Sequence, residues 1–311
     1  MTDTNSIDQK KRQDHVPTVS IGLPVYNGEN YLRQAIDSLL AQTFTDFELI
    51  ISDNASTDGT SKIIEQYAAR DPRIKFFQQT ANIGATKNFQ FTFDQSHGTF
   101  FMWAAHDDLW DERWLEILVN EIRDADICVR GAVQILEATE IIACAYPHDF
   151  YKGQWLRLFI EPEVYYYKNC YIYSLFWRSK LNALTSSLHG GVVDEFFLLY
   201  EGIWQGNLRT IKSTYAICRI HEQSTGAQLS KAWKFSLLRA TVQVHKLAWY
   251  RALYLLTPPP LKAAFLAAVP LKHAYAQFHL WFRAFRRLVL KRKNIHGLGK
   301  KFDQTNVGSG Q

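Results

Sequence analysis

The segment VSIGLPVYNGENYLRQAIDSLLAQTFTDFELIISD (residues 19–53) has the pattern of one complete strand–helix–strand unit. VSIGLPVY (19–26) is an apolar run that ends at a turn-forming Asn27-Gly28 pair, which predicts a strand. FELIIS (47–52) predicts a second strand, closed by Asp53. Between the strands, apolar residues recur on one helical face. These residues are Leu32, Ile36, Leu39 and Leu40.

The same alternation continues along the chain. The further strands are predicted at IKFFQ (74–78) and TFFMWAA (99–105), and the further helices around residues 63–67 and over 84–95. After Trp114 the alternation loosens into a helix at about 111–123, a strand near 126–135 and an aromatic-rich stretch. Strict alternation of strand and helix predicts an α/β fold with a parallel sheet and helices on its faces.

Polar residues follow three of the predicted strands, at residues 27–29, at Asp53 and at residues 106–108. Turns after strands are commonly polar, so each of these is a weak signal by itself. Ligands of open α/β sheets bind at the carboxyl ends of the strands. The three positions together therefore predict one ligand-binding rim.

The common phosphate-binding loops are missing from this rim. No GxGxxG follows the first strand, and no GxxxxGK[ST] occurs in the chain, so dinucleotide-binding and P-loop sites lose their main sequence support. What remains is an acid-lined site. A carboxylate after the second strand can accept hydrogen bonds from a base or ribose, and adjacent carboxylates after a later strand can hold a divalent cation. Mg²⁺ or Mn²⁺ bound there would neutralise charge on a diphosphate leaving group.

Four ordered motifs carry a resemblance to a known family. They are PVYNGENYL (24–32), ISDNASTDGT (51–60), NIGATKNF (82–89) and FMWAAHDDLWDERWL (101–115). Together they resemble the family 2 glycosyltransferases, over about residues 18–224. The resemblance implies a GT-A fold, with a mixed, mainly parallel sheet and helices on both faces. It also implies transfer of a single sugar from a nucleotide-diphospho-sugar donor to a hydroxyl of a glycan or lipid-linked acceptor, in cell-surface polysaccharide synthesis.

The resemblance further assigns roles to individual residues. The positions expected to bind the nucleotide sugar are Pro24, Tyr26, Glu29, Asp53, Asp107, Arg219 and His221. Residues 106–108 correspond to the family's DXD motif, with Asp108 as the ligand of Mg²⁺ or Mn²⁺.

Two further segments carry expectations about catalysis and the acceptor. GGVVDEFFLLYEGIWQG (190–206) matches the place of the general base and assigns it to Asp194, with Glu195 as the second candidate. IYSLFWRS (172–179) resembles a segment near the acceptor and nominates Arg178. Asp194 would take the acceptor's proton as the hydroxyl attacks, while Arg219 and the cation stabilise the departing nucleoside diphosphate. A direct displacement of this kind inverts the anomeric configuration.

The chain departs from the family pattern at two positions. His106 stands where the DXD motif begins with Asp, which puts one ribose or metal contact in doubt, and Asn54 stands where a second Asp often follows the first. The chain also has no QxxRW motif, which counts against a processive polymerase.

Charge is divided unevenly along the chain. The net charge of +5 conceals a segment between Glu222 and Asp303 that has 15 Lys and Arg and no Asp or Glu. Its aromatic and basic residues alternate as in helices that lie in a membrane interface. The expected organisation is a disordered leader (1–16), the catalytic domain (17–225), a helical, basic, amphipathic region that associates with an anionic membrane surface (226–295) and a flexible tail (296–311).

Two other interpretations of the basic region remain open. It could be an ordinary helical subdomain packed on the acidic catalytic body, or it could bind nucleic acid, although no nucleic-acid-binding motif accompanies the charge. Four widely spaced cysteines, without a CxxC pair, indicate a reducing compartment. With no signal-peptide pattern and no run long enough to span a membrane, we expect a cytoplasmic protein, peripheral on the inner face of the cell membrane.

Two alternative functions are also open. A nucleotidyltransferase shares the α/β layers and the acidic site, but it would usually need a Gly-rich basic loop, and PVYNGEN (24–30) supplies neither the glycines nor the Lys or Arg. A catalytically inactive, membrane-associated scaffold of the same fold is the second alternative, and the His106 variant keeps it open.

Overall fold

A computed structural model describes residues 15–145, 149–154, 156, 171–184, 200–221, 259–264 and 266–268 of the chain. The strands are β1 Val19–Val25, β2 Phe47–Asp53, β3 Ile74–Gln78, β4 Phe100–Trp103, β5 Leu109–Trp110, β6 Asp126–Glu137, β7 Glu140–Ala145, β8 Leu175–Trp177 and β9 Asn207–Ile220. The helices are α1 Leu32–Leu40, α2 Thr60–Ala68, α3 Ala85–Asp94, α4 Trp114–Glu121 and α5 Arg178–Asn182. Two short 3₁₀ segments are Tyr171–Tyr173 and Pro259–Leu261.

The predicted alternation of strands and helices up to residue 103 is confirmed, with small shifts at the ends. The fourth strand stops at Trp103, two residues before its predicted end, because the N–H of Ala104 makes the last bond to β1, at the Gly22 carbonyl. Helix α4 begins at Trp114 because a turn precedes it, in which the N–H of Trp114 donates to the Asp111 carbonyl at 2.9 Å.

The strands form one sheet in the order β3-β2-β1-β4-β8-β6-β9-β5, with β7 paired to β6. β1, β2, β3 and β4 run parallel, as the pattern predicted. β8 pairs antiparallel with both β4 and β6, so β6 and its parallel partner β9 point in the same direction as β1. The carboxyl ends of β1, β2, β4, β6 and β9 therefore meet at one edge of the sheet.

Apolar side chains are buried on both faces of this sheet. On the first face, α1, α2 and α4 cover β1 and β2, and the largest buried side chain there is Trp114. On the second face, α3 and α5 cover β4 and β6 around Trp103. Each fully buried aliphatic or Phe side chain contributes about 1.5–3 kcal/mol to folding, so both layers are needed to hold the sheet's edge in place.

A glycine lets α3 approach the second face closely. A Cβ on Gly22 would lie 2.6 Å from the Thr92 hydroxyl and 2.9 Å from the Phe101 ring. The helix therefore packs directly on the β1 backbone.

A buried ion pair fixes the opposite edge of the sheet. Asp126, at the start of β6, accepts hydrogen bonds from Arg209 Nε at 3.0 Å and Arg209 Nη2 at 2.8 Å. The Asp126 side chain is 1 % exposed, and the pair ties the amino end of β6 to that of β9.

Only a short part of the predicted basic region (226–295) lies among the described residues. Within it, Leu261 and Ala268 pack against the second-face core, and Leu266 is exposed. In the part of the chain that the structure describes, no helix is long and apolar enough to cross a membrane. The assignment of residues 1–16, 17–225, 226–295 and 296–311 to separate units stays a prediction.

Candidate active site

The polar segments after β1, β2 and β4 lie together at the carboxyl edge of the sheet, with the end of β9 beside them. Side chains from residues 27–29 and 56–60 bond to each other across this edge. The N–H of Asn27 donates to the Ser56 hydroxyl at 2.9 Å, and the Asn27 side-chain oxygen accepts the N–H of Thr57 at 2.9 Å. Asn27 has φ 51°, a left-handed conformation that asparagine tolerates better than most residues.

Glu29 belongs to the same pair of loops. Its Oε2 accepts the N–H of Gly59, just before α2, at 2.7 Å, and its own N–H donates to Asp58 Oδ2 at 3.2 Å. A Cβ on Gly59 would lie 2.7 Å from the Glu29 carboxylate, so a larger residue there would displace that carboxylate. Burial raises the pKa of Asp58, but hydrogen bonds from Thr60 and Glu29 outweigh it and leave the pKa below its ordinary value of 3.8. Both carboxylates hold the loops of the rim in position.

Asp53 is fully buried, with 0 % of its surface exposed. Its Oδ1 accepts the N–H of Ser56 at 3.0 Å, whereas its buried Oδ2 has no hydrogen-bond partner among the described residues. On the adjacent strand β1, Asp53 pairs with Val25. The residues on either side of Val25 are Pro24, which is buried, and Tyr26, which is 45 % exposed. An unpaired buried carboxylate oxygen is costly, and a ligand N–H would satisfy it.

Asn54 contributes to the rim in a way that the sequence did not indicate. It is 2 % exposed, donates from Nδ2 to Asn82 Oδ1 at 3.1 Å and accepts the N–H of Ile83 at 2.9 Å. Asn82 Oδ1 also accepts the N–H of Gly84 at 2.9 Å. The amide of Asn54 thus fixes the loop that leads into α3. An aspartate there would lack the donor, which gives a physical reason for this departure from the family pattern.

His106 packs over the first loop of the rim. A Cβ on Gly28 would lie 2.7 Å from the His106 ring, so the ring lies directly on the backbone there. Burial lowers the pKa of His106 below its ordinary value of 6.5, and the nearby Asp107 carboxylate opposes that shift only in part. The imidazole is therefore neutral at pH 7.

Asp107 and His221 are brought together by the pairing of β5 with β9. Asp107 Oδ2 lies 2.8 Å from His221 Nε2, and both side chains are about 15 % exposed. The His221 ring lies 4.8 Å from the ring of Tyr31, centroid to centroid. The two residues are 114 positions apart in the chain, so the contact depends on the tertiary fold.

Arg219 is held at several points on the same side of the rim. Its N–H donates to Asp108 Oδ1 at 2.8 Å, its Nε to the Asp107 carbonyl at 3.0 Å, and its Nη2 to Gln34 Oε1 at 2.7 Å. Its guanidinium carbon lies 4.6 Å from the centre of the Tyr31 ring. Tyr31 and Gln34 were not predicted as site residues. Their signal was the spacing of three residues at the start of α1, which places both on one side of the helix.

The acidic residues of the rim fit a cation bound together with a diphosphate. Among the described residues, no group of three or more His, Cys, Asp and Glu is placed to hold a metal ion. Mg²⁺, however, is often bound through one or two carboxylates plus substrate phosphates. Asp107 and Asp108 are two adjacent carboxylates at the end of β4, which matches that mode, although Asp108 Oδ1 also accepts the Arg219 N–H.

One other predicted residue, Arg178, lies away from the rim. Arg178 follows the end of antiparallel β8 and bonds to the Ser96 hydroxyl at 2.9 Å, while its N–H donates to the Thr99 carbonyl at the start of β4. It is therefore at the amino edge of the sheet, opposite the rim, and its nomination as an acceptor-side residue stays a prediction. Asp194 and Glu195 lie outside the described residues.

The fold and rim have relatives among known proteins. The sequence model of the family described as glycosyl transferase family 2 matches residues 20–181. An uncharacterized glycosyltransferase of Rickettsia typhi is 32 % identical over 180 residues, which is 58 % of this chain and 50 % of that protein. Glycosyltransferase GlyA of Streptococcus pneumoniae is 31 % identical over 36 % of this chain and 16 % of its own length. Chondroitin synthase of Escherichia coli is 34 % identical over 35 % of this chain and 16 % of its own length. This chain thus spans half or less of each of these relatives.

Solved structures show the same fold. S. aureus TarS 1–349 superimposes with a TM-score of 0.54 at 17 % identity, over 82 % of this chain and 71 % of that chain. Its complex with UDP gives 0.53 at 15 % identity, over 83 % and 88 %. GalNAc-T7 with UDP, GalNAc and Mn²⁺ gives 0.52 at 14 % identity, over 67 % and 45 %. At these identities the likeness shows the fold alone, and the predicted GT-A fold is confirmed. Since the family match covers more than half of the residues, this chain belongs to glycosyl transferase family 2.

Proposed function

We propose that this chain transfers a single sugar, with inversion, from a nucleotide-diphospho-sugar to a hydroxyl of a glycan or lipid-linked acceptor. One observation carries the proposal. At the carboxyl edge of the sheet, a buried carboxylate oxygen on Asp53, without a partner among the described residues, shares a rim with the Arg219 guanidinium and the Asp107–His221 pair. The Asp53 oxygen suits a nucleobase and the Arg219 guanidinium suits a diphosphate, which are the two ends of the nucleoside diphosphate portion of a sugar nucleotide.

The base end of the donor is assigned to Asp53. Its Oδ2 would accept an N–H from the base, while Oδ1 stays bonded to the Ser56 N–H. Pro24 and exposed Tyr26, at the end of the adjacent strand, would line the base and ribose. The complexes of S. aureus TarS with UDP-GlcNAc and UDP support a uridine nucleotide as the first donor to test.

The diphosphate end is assigned to Arg219 and His221. Tyr31 and Gln34 hold the Arg219 guanidinium in one orientation, so little side-chain entropy is lost when it binds phosphate. Preorganised donors directed at a developing charge are generally a large component of catalysis. Asp107 and Asp108 would hold Mg²⁺ or Mn²⁺, and the bound cation supplies further positive charge to the leaving diphosphate. The Mn²⁺ complex of GalNAc-T7 supports a divalent metal.

The proton transfer is assigned by resemblance to Asp194, with Glu195 as second candidate. Asp194 would take the proton of the acceptor hydroxyl while that oxygen attacks the anomeric carbon from the side opposite the diphosphate. One displacement inverts the configuration and requires no covalent enzyme intermediate.

The acceptor and the location follow from weaker signals. The names of the GlyA and chondroitin synthase relatives support a glycan acceptor and a part in polysaccharide synthesis. The 15 basic residues between Glu222 and Asp303 support attachment to an anionic leaflet on the cytoplasmic side, since each contributes about 1 kcal/mol near such a surface.

The donor site is tested by ligand-induced thermal stabilisation of the full-length protein. UDP-, dTDP- and GDP-sugars are compared, each with and without Mn²⁺, on wild type and Asp53→Asn. The asparagine keeps an oxygen for the Ser56 N–H and replaces the other oxygen with an N–H₂ group, so the loop is preserved while the acceptor for the base is lost. Asp46→Asn is the matched control, because Asp46 bonds to Thr18 near the opposite edge of the sheet.

We expect stabilisation by one nucleotide class, strengthened by Mn²⁺, absent in Asp53→Asn and retained in Asp46→Asn. Equal stabilisation of wild type and Asp53→Asn would remove Asp53 from the site. No response to any sugar nucleotide in folded protein would favour the inactive-scaffold alternative.

A further inference from the structure

A buried cation on the second face of the sheet plays no part in the rim. Arg130, in the middle of β6, is 2 % exposed. Its Nε donates to the Gly131 carbonyl at 3.3 Å, and its guanidinium carbon lies 4.5 Å from the centre of the Tyr171 ring. Within the described residues, no carboxylate forms an ion pair with it. A buried guanidinium without an anion is strongly unfavourable, so this position calls for a negative partner.

Two buried hydroxyls flank Arg130 on neighbouring strands. Thr210 is its register partner on β9. Cys128 and Leu208, two residues earlier on each strand, both belong to the second-face core, so Arg130 and Thr210 also lie on that face. On the other side of β6, Val129 pairs with Leu175 of antiparallel β8. Ser174 comes immediately before Leu175, so it lies beside Arg130.

Neither hydroxyl has a partner in the part of the chain that the structure describes. Ser174 Oγ and Thr210 Oγ1 are both buried there without a hydrogen bond. The backbone N–H of Thr210 does have one, since it donates to Asp149 Oδ1 at 2.7 Å, so only the hydroxyl is unsatisfied. Unsatisfied buried polar atoms are rare in folded proteins, and here two of them belong to residues on or next to the strands on either side of Arg130.

We propose that Arg130, Ser174 and Thr210 form an anion-binding subsite for a phosphoryl or carboxylate group. A guanidinium and two hydroxyl donors make up the donor set that such oxygens prefer. Arg130 is level with Trp103 on β4, because Cys128 and Phe101 both pair with Phe176. Arg130 is therefore level with the last residue of β4, and His106 of the rim follows that residue by three positions in the chain.

That position suits an acceptor that carries an anionic group. This assignment rests on the proposed glycosyltransferase function, whereas the binding of the anion does not. The anion would be the acceptor's own phosphate or carboxylate, or free inorganic phosphate.

Phosphate titration of the full-length protein tests the subsite, with affinity measured by calorimetry and stability by thermal unfolding. Thr210→Val and Ser174→Ala are the principal variants. Their hydroxyls make no hydrogen bond to the described residues, so both variants should fold with an unchanged or higher Tm. We expect each to bind phosphate about tenfold more weakly than wild type, as loss of one hydrogen bond to a charged group implies. Arg130→Met should lose the phosphate binding that depends on Ser174 and Thr210.

Thr92→Val is the matched control. Thr92 is also fully buried, but its hydroxyl donates to the Phe89 carbonyl at 2.8 Å. The control should therefore lower Tm and leave phosphate affinity unchanged, the reverse of Thr210→Val. A sugar 1-phosphate compared with inorganic phosphate separates the two sources, since only an acceptor subsite binds more tightly when the sugar is attached.

Equal phosphate affinity of wild type and Thr210→Val would overturn the proposal. So would binding that is lost in Arg219→Lys and kept in Thr210→Val, because phosphate would then occupy the rim. Failure of wild type to bind phosphate would also overturn it and would leave Arg130 to pair with a carboxylate of the chain itself. Sugar-nucleotide binding, measured in parallel, reports on the proposed function independently of all three outcomes.

Discussion

Replacing Asn54 with aspartate should destabilise the protein, although the change restores a residue common in the family. The Asn54 amide donates to Asn82 Oδ1 at 3.1 Å and accepts the N–H of Ile83 at 2.9 Å. Aspartate loses the donor and places a second oxygen opposite Asn82 Oδ1. Rotation of the Asn82 amide does not relieve this, because its oxygen also accepts the N–H of Gly84.

The magnitude follows from burial. Asn54 is 2 % exposed, so the lost hydrogen bond costs about 1 kcal/mol and the unsatisfied, charged oxygen a further 1–3 kcal/mol. The free energy of unfolding should therefore fall by about 2–4 kcal/mol at pH 7, a large part of a typical total of about 5–15 kcal/mol.

The penalty should also depend on pH. A protonated carboxyl can donate to Asn82 as the amide does, so the folded state of Asn54→Asp raises the pKa of the introduced carboxyl above its unfolded value of about 3.9. The deficit relative to wild type is then complete above the raised pKa and shrinks as pH falls through it.

Urea unfolding followed by tryptophan fluorescence, between pH 8 and pH 4, measures both effects. Asn54→Ala separates loss of the contacts from introduction of charge, and Asn120→Asp, on the exposed side of α4, controls for the charge alone. Equal stability of Asn54→Asp and wild type at pH 8, or a deficit that does not change with pH, would refute this account of the loop.

Three further predictions concern the scaffold. Gly22→Ala should lower the free energy of unfolding by about 1–3 kcal/mol, because the added methyl would lie 2.6 Å from the Thr92 hydroxyl of α3. The change is measured from the midpoint of urea unfolding. An unchanged midpoint would mean that the helix is not packed on β1 as described. Asp126→Asn should lower the free energy of unfolding by about 3–5 kcal/mol in the same assay, since Arg209 loses its buried partner. Sugar-nucleotide affinity at low temperature should not change, because the pair lies at the edge opposite the rim. Weakened affinity in folded protein would contradict that separation. The hydrogen bonds from Arg73 lower the pKa of Asp71 below 3.8. Asp71→Asn should therefore be less stable than wild type near pH 7, and the difference in stability should vanish as the pH falls below the lowered pKa of Asp71. A difference that persists at pH 2 would contradict a role for the Asp71 charge.

The first hundred residues could be predicted from the sequence because their signals are local. Alternating apolar runs and helical faces specify β1 to β4 and α1 to α3, and the strands end where Asn27-Gly28 and Asp53 interrupt the apolar pattern. Parallel strands joined by helices must place their carboxyl ends at one edge, so residues 27–29, 53 and 106–108 were expected to meet there, and they do.

The partners within the rim could not be predicted in the same way. Asp107 meets His221, and Arg219 lies against Tyr31 and Gln34, because β5 pairs with β9 across more than a hundred residues. Arg178 lies away from the rim for a related reason. The sequence of β8 is apolar in either direction, and only its antiparallel pairing with β4 sends its end to the far edge.

The periodicity of apolar residues records burial along a single element, so the sequence specifies which segments form strands and helices and which apolar side chains face the core. The tertiary structure is needed to place Arg130 beside Thr210 and to leave one oxygen of Asp53 without a partner among the described residues. Strand order and register are set by the packing of both core layers at once. That packing depends on contacts between distant residues, which no local pattern contains.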